Sequence, residues 1–332
     1  MPLSFFRKAF ETLERHHEIE YIELNSQAPF VPSTASERRL REYLGSPAQV
    51  AERMGGVEVL AVHAAPVTQE LLDASSELRL VCCARGGPVN IDVDALSNRG
   101  VPLVNTPGKN AEAVADLTLA FLVMLARGLP KATRFVDEGG QVSDNWVGAR
   151  FMGSDLRDHR LGIIGYGNVG KRVARRATAF GMALCLYDPY VALADVEQVP
   201  TLDELLGRSD FVSLHARATA DNVGLIGRDA LAAMKPGSFL INTARESLVD
   251  EDALDAALAS GHLAGAALDV FREGSPGERS ALLRHENVVL TPHIGGATSE
   301  TLLQGALMVA EEIERFAAHE PLTHLVGTSR RT

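Results

Sequence analysis

The sequence predicts an α/β protein of two doubly wound parallel-sheet domains, one inserted into the other. Three observations predict it. Short apolar runs suited to buried parallel strands alternate with helical patterns along most of the chain. A strand–glycine turn–helix–strand unit occupies residues 160–188, and the alternation continues on both sides of it. The 332 residues are enough for two domains. The boundaries that follow are residues 1–109 with 298–332 for the outer, substrate domain, and 110–297 for the inserted one.

In the outer domain, residues 5–16 read as a helix and 19–24 as a strand. Residues 29–36 read as a loop and 37–53 as an exposed helix interrupted near Gly45. Residues 57–63 and 78–83 read as buried strands around a short helix at 69–75. A helix at 92–99 stops at Gly100, and a strand at 101–105 follows. Asn110 then caps a helix to about residue 127. That helix is apolar nearly all round, so it belongs at a domain or subunit interface. Residues 139–157 are a loop-rich crossover with the single tryptophan, Trp146.

The central unit is the most informative stretch. Residues 161–164 form a short apolar strand that meets Gly165-Tyr166-Gly167-Asn168-Val169-Gly170, a G-x-G-x-x-G turn. A helical pattern follows with Val173, Ala174, Ala177 and Phe180 on one face, ended by Gly181. The apolar run 182–187 then stops at Asp188. Gly165 permits the tight turn, Gly167 lets the backbone approach a pyrophosphate, and Gly170 lets the helix pack on the strand. The helix start at Asn168 and Val169 offers free N–H groups to phosphates. Asp188 lies 23 positions after Gly165, close to the roughly 20 expected of the carboxylate that bonds ribose hydroxyls. The same acid also suits a turn before Pro189, and the two readings are compatible. It would repel a 2′-phosphate, so NAD is expected rather than NADP. Beyond this unit, strands are expected at 211–215, 239–242, 264–268 and 288–291, with helices at 229–234, 251–260 and 299–318.

The formal net charge of −11 argues against nucleic-acid and anionic-membrane partners. No signal-peptide core occurs in residues 1–14, and the longest apolar run, 117–126, is too short to span a bilayer. Cys82, Cys83 and Cys185 all fall in strand-like runs without disulfide or zinc spacing. They read as buried thiols in a reducing cytoplasm. No metal is expected.

Three strand ends carry candidate chemistry. Arg245, in Ile241-Asn242-Thr243-Ala244-Arg245, stands where an open α/β sheet binds ligands and could grip a carboxylate. It could equally form a surface ion pair with Glu246 or Asp250. His293, before Gly295 and Gly296, suits a general acid/base, although a lone histidine is more often structural. His16, His17, His285, His319 and His324 read as surface residues. Asp269 ends a third strand as a loop cap or a contact to a nicotinamide carboxamide.

Five segments together resemble the D-isomer-specific 2-hydroxyacid dehydrogenases, the group that contains phosphoglycerate, glycerate and D-lactate dehydrogenases. They are RGVPLVNTPGKNAEAVADLTLAFLVMLAR from Arg99, LGIIGYGNVG from Leu161, INTARESLVD from Ile241, HLAGAALDVF from His262 and NVVLTPHIGG from Asn287. The resemblance implies a Rossmann NAD-binding domain inserted into a discontinuous flavodoxin-like domain, and a homodimer built on the cofactor domain. It implies that Arg245 binds the substrate carboxylate and 2-oxygen, and that His293 exchanges the hydroxyl proton. It places Asn168, Val169, Asp188, Thr243, Ala244 and Asp269 around NAD, and the loop from Arg85 through Gly86 and Gly87 to Asn90 beside substrate.

Two departures stand out. The family usually continues D-V-F-x-x-E-P, with the glutamate supporting the catalytic histidine. Here Gly274 takes that position, so Glu273 serves after a one-residue loop shift or the role is vacant. Arg217 replaces the proline of a common H-x-P-x-T.

The expected activity is hydride transfer between nicotinamide and C2 of a small 2-hydroxy or 2-oxo acid, bound in the cleft between the domains. The polar, uncrowded Arg85 loop points to a polar or phosphorylated substrate. The alternatives are an NAD(H)-sensing protein similar to the C-terminal-binding corepressors, and a formate dehydrogenase on the same scaffold.

Overall fold

In a computed structural model, residues 1–24, 31–32, 34, 37–140, 147–192, 196–272 and 280–327 are described. The chain divides into two units, Met1–Lys109 with Thr298–Thr332, and Asn110–Ala297.

The first unit begins with α1 (Leu3–Phe10) and later α2 (Pro47–Ala51). Its parallel sheet has the order β1 (Val59–Val62), β2 (Leu80–Cys83), β3 (Leu103–Val104), with α3 (Gln69–Asp73) and α4 (Val93–Arg99) between the strands. Side chains alternate across β2, so Leu80 and Cys82 enter one core while Val81 and Cys83 enter the other. All three cysteines are free and buried. The α4 termini follow the residues expected: the Asp92 carboxylate accepts from Ala95 N at 3.1 Å, and Gly100 leaves at φ +70°.

Two expectations for this unit fail. Residues 19–24 join no strand ladder among the described residues. Ile19 and Tyr21 pack against the sheet, so their alternation is satisfied by burial without backbone pairing. Residues 37–53 contain only a 3-10 turn, Glu37–Arg39, and the short α2. Gly45 at φ +73° and the Ser46–Gln49 capping box start a new helix there, which prevents a continuous one.

The second unit opens with α5 (Ala111–Ala126), which packs against α7 (Asn168–Ala179) through Phe121, Leu122, Val173 and Ala177. Asn110 occupies the N-cap position of α5 without a side-chain capping bond. Gly128, at φ +59°, turns the chain into α6 (Leu129–Asp137), a helix the sequence reading does not foresee.

Six parallel strands then assemble in the order β5, β4, β6, β7, β8, β9. They are β4 (Arg160–Ile164), β5 (Ala183–Tyr187), β6 (Phe211–Leu214), β7 (Ser238–Asn242), β8 (Leu263–Leu268) and β9 (Val288–Leu290). The order reverses beside β4, whose neighbours are β5 and β6, and this is the topological switch point. The sheet is covered on both faces, by α5 and α7 on one and by α8 (Leu202–Arg208), α9 (Arg228–Ala233) and α10 (Glu251–Ala259) on the other. Phe180 does not extend the buried face of α7. It follows the last helical turn and is 50% exposed. His285, expected at the surface, is mostly buried and bonds Asp255 at 2.9 Å. The chain returns to the first unit as α11 (Ser299–Ala317), packed on α1 and β2. No single helix among the described residues is long and apolar enough to cross a membrane.

Close approach of α8 to β4 depends on Gly162. A Cβ there would lie 2.6 Å from Leu205 Cδ2 and would also collide with Ser209 Oγ. Gly162→Ala is therefore expected to cost about 1–3 kcal/mol in denaturant unfolding, as overpacking does. An unchanged midpoint would contradict this packing.

Candidate active site

In the second unit the chain leaves β4 through Gly165, at φ +92°, where the tight turn needs the left-handed region. A Cβ on Gly165 would sit 2.7 Å from Ala216 N, so the glycine turn runs directly against the exit of β6. A Cβ on Gly170 would collide with the Gly165 carbonyl and touch Ile163 Cγ2 at 3.4 Å. At Gly167, by contrast, a Cβ would meet nothing within 4 Å. Two glycines of the motif thus serve internal packing, and the third faces open space. Helical bonding in α7 starts with Lys171 N to Gly167 O, so the N–H groups of Asn168, Val169 and Gly170 precede the ladder. Free N–H groups at the positive end of a helix dipole are the arrangement that favours an anion.

Asp188 stands at the end of β5. Its Oδ2 accepts from Tyr166 N at 2.8 Å, and its Oδ1 accepts from Tyr190 N at 2.9 Å. It is therefore a turn acid as well as a candidate ribose ligand. The bond to Tyr166 joins it to the glycine turn itself. Carboxylate oxygens accept more than one hydrogen bond, so capacity remains for ribose hydroxyls.

At the end of β7, buried Asn242 organises the turn that carries Thr243, Ala244 and Arg245. Its Oδ1 accepts from Ala244 N at 3.0 Å, and its Nδ2 donates to Arg245 O at 2.8 Å. Thr243 is buried and its Oγ1 lies 3.2 Å from Thr118 Oγ1 on α5. Arg245 is exposed and its guanidinium donates to Ala244 O at 2.6 Å. Neither Glu246 nor Asp250 forms an ion pair with it among the described residues, so the surface-pair alternative is not what the structure shows.

Asp269, at the end of β8, is 2% exposed and accepts three hydrogen bonds from the segment after β9. Thr291 Oγ1 donates at 2.6 Å, Ile294 N at 2.8 Å and Gly295 N at 2.7 Å. His293 N in turn donates to the Asp269 carbonyl at 2.9 Å. His293 sits at φ +55°, a left-handed conformation uncommon for a non-glycine residue, and its side chain is exposed. Asp269 therefore does what the loop-cap reading expects: it holds the strained turn that presents His293.

His215, at the end of β6, adds a residue the sequence reading takes only as part of a motif. Its Nε2 lies 2.9 Å from Ser213 Oγ, and its buried Nδ1 has no hydrogen-bond partner among the described residues. Burial pushes its pKa down to about 3, so the ring is neutral at ordinary pH. Arg217 beyond it is exposed, and its carbonyl accepts from Asn222 Nδ2 at 2.8 Å.

Gly165–Gly170, Asp188, Thr243–Arg245, Asp269 and His293 thus share the carboxyl edge of one sheet. Arg85, Gly86 and Gly87 lie in the first unit, just past the carboxyl end of β2. Glu273 and Gly274 lie outside the described residues. Sequence reasoning misses Asn242, Thr118 and Thr291, which orient site residues; a buried Asn ending an otherwise apolar strand is the signal for the first.

A switch-point glycine turn with an acid on the next strand defines a dinucleotide-binding α/β protein. Residues 119–295 match the family described as D-isomer specific 2-hydroxyacid dehydrogenase, NAD binding domain. The chain belongs to that family. It is 38% identical over 265 residues to D-3-phosphoglycerate dehydrogenase of Archaeoglobus fulgidus, covering 79% of this chain and 49% of the relative. The chain thus spans about half the length of the curated phosphoglycerate dehydrogenases it matches. It is 39% identical over 262 residues to hydroxypyruvate reductase of Thermotoga maritima, covering 77% of this chain and 84% of the relative. Among solved structures, D-lactate dehydrogenase from Aquifex aeolicus complexed with NAD and lactic acid superposes with a TM-score of 0.67 at 30% identity, over 81% of this chain and 86% of that one.

Asp269→Asn replaces one acceptor oxygen by a donor facing N–H groups. It should destabilise the second unit by about 1–3 kcal/mol per donor left unsatisfied. The backbone amide signals of Ile294 and Gly295 should lose protection in hydrogen exchange. Retained protection at both amides would show that the carboxylate does not hold this turn.

Proposed function

We propose that the protein is an NAD-dependent oxidoreductase acting at C2 of a small 2-hydroxy or 2-oxo acid. The observation that carries this reading is the meeting of the glycine turn, Arg245 and the Asp269-held His293 on one sheet edge. The residues fit a dinucleotide. Gly167 leaves room for a pyrophosphate, Asn168 and Val169 offer N–H donors, and Asp188 accepts from ribose hydroxyls and disfavours a 2′-phosphate. Thr243, Ala244 and Asp269 complete the cofactor surface. When bound, the nicotinamide gives or takes the hydride at C2.

Arg245 holds the substrate carboxylate and polarises the 2-oxygen with a preorganised charge. His293 takes the hydroxyl proton in oxidation and returns it in reduction. Asp269 acts as the positioning residue for His293, and Glu273 remains the sequence's candidate to pair with its ring. Residues 1–109 and 298–332 form the substrate unit, with the Arg85–Gly86–Gly87 loop as a substrate contact.

The same reading includes a homodimer. Leu129 and Val136 of α6 are 40% and 55% exposed and Met152 is 79% exposed, an apolar surface on the cofactor unit that suits a second copy. Buried free thiols suit a cytoplasmic location.

Following NADH absorbance with a panel of 2-oxo acids tests the reading. Turnover is expected, and His293→Ala should lower kcat by about 10²–10⁴, the usual worth of a general acid. Arg245→Ala should raise KM and lower kcat together. Tight NADH binding without oxidation by any 2-oxo acid would sink the reading in favour of a sensor.

A further inference from the structure

Arg217 stands where the sequence departs from the family's proline, and neither the fold nor the catalytic residues account for it. It follows β6 at the carboxyl edge of the cofactor unit's sheet, where open α/β sheets bind ligands. The glycine turn lies against this exit, since a Cβ on Gly165 would come within 2.9 Å of Ala216 Cα. Arg217 is one step further along the chain, about 3.8 Å from Ala216 between Cα atoms. Its side chain therefore starts beside the turn that leads to the free N–H groups of Asn168, Val169 and Gly170.

One side chain holds the backbone that carries Arg217. Asn222 Nδ2 donates to Arg217 O at 2.8 Å, and Asn222 Oδ1 accepts from Thr219 N at 2.8 Å. Ala216 and Ala218 pack against the core beneath α8, α9 and α10, while Arg217 between them is exposed. Its guanidinium has no ion pair or hydrogen bond among the described residues. Acids are at hand: Asp221 follows in the same loop, and Asp188 stands across the glycine turn. Neither pairs with it.

The arginines of α7, by contrast, are engaged. Arg172 donates to Glu112 at 2.6 Å and to Asn168 O at 2.9 Å. Arg176 donates to Asp116 at 2.7 Å and to Glu112 at 2.6 Å, and Arg175 also pairs with Glu112. Lys171 Nζ lies over the ring of Tyr166, 5.9 Å from its centroid. A diphosphate carries a formal charge on each phosphate, and a helix start offers only partial positive charge. A guanidinium supplies a full charge in a planar fork that matches phosphate oxygens.

We infer that Arg217 is a cofactor-binding residue whose guanidinium bonds the diphosphate of NAD. This rests on the NAD-binding part of the oxidoreductase reading and adds a charged contact to the backbone amides. A proline at that position stiffens the turn but offers neither charge nor donor. Here the Asn222 bonds hold the turn, and the arginine supplies the charge. The contact acts on cofactor affinity, away from the reacting carbon.

The test is calorimetric titration of wild type, Arg217→Gln and Arg217→Lys with NADH, NADPH and ADP-ribose, at low and high salt. Loss of a charge-assisted contact predicts that Arg217→Gln weakens NADH and ADP-ribose binding alike, by about tenfold to a hundredfold. Arg217→Lys should recover part of the affinity. Binding by Arg217→Gln should fall less steeply with salt than binding by wild type. Its denaturant midpoint should stay close to wild type, because the side chain is exposed. Unchanged NADH affinity in Arg217→Gln overturns the inference. So does a loss that keeps the wild-type salt dependence, the mark of stacking or of a purely structural role. A loss confined to NADPH overturns it too, by placing the guanidinium at a 2′-phosphate. If wild type binds neither NADH nor ADP-ribose, the oxidoreductase reading fails and the contact falls with it.

Discussion

The contact on which the cofactor unit depends is the approach of Gly170 to the carbonyl of Gly165. It brings the first turn of α7 down onto the end of β4 with no side chain between. With that approach made, the free N–H groups of the helix start open at the switch point. The Tyr166 amide then lies where Asp188 can accept from it. The same turn touches Ala216 at the exit of β6, so three strand ends are fixed relative to one another by backbone packing. Preorganisation of this kind lets a binding surface exist before its ligand arrives.

The opposite half of the sheet edge is organised by a carboxylate. Asp269 is buried and accepts three hydrogen bonds from the turn beyond β9. These bonds offset the strain of His293 in the left-handed region and leave its ring exposed. Asn242 does the equivalent work for Arg245, with its amide bonded on both sides of the turn. Arg245 and His293 therefore each project from a turn whose backbone is held by a buried polar side chain at the end of a strand.

Much of this was legible in the sequence, and for identifiable reasons. Strands β4 to β9 are continuous apolar runs because both faces of their sheet are covered, and such runs are easy to see. Gly100 and Asp92 bounded α4 correctly because caps act locally. What escaped was set by tertiary context. Residues 19–24 alternate like a strand yet only pack, and α6 fully buries none of its residues. The role of Thr118 depends on a partner 125 residues away that no local pattern reveals. The motif resemblance found Arg245 and His293, but it could not show that Arg245 lacks the ion pair its neighbours offer or that His293 sits in a left-handed turn.

The central claim is that the glycine turn is a dinucleotide site built by two packed glycines around an open third. Equilibrium titration of Gly167→Val with NADH, beside its denaturant unfolding curve, addresses it most directly. The account predicts an unfolding midpoint close to wild type, because that Cβ meets no protein atom, and NADH binding weakened by at least about tenfold. Unweakened NADH binding by a folded Gly167→Val protein would contradict it.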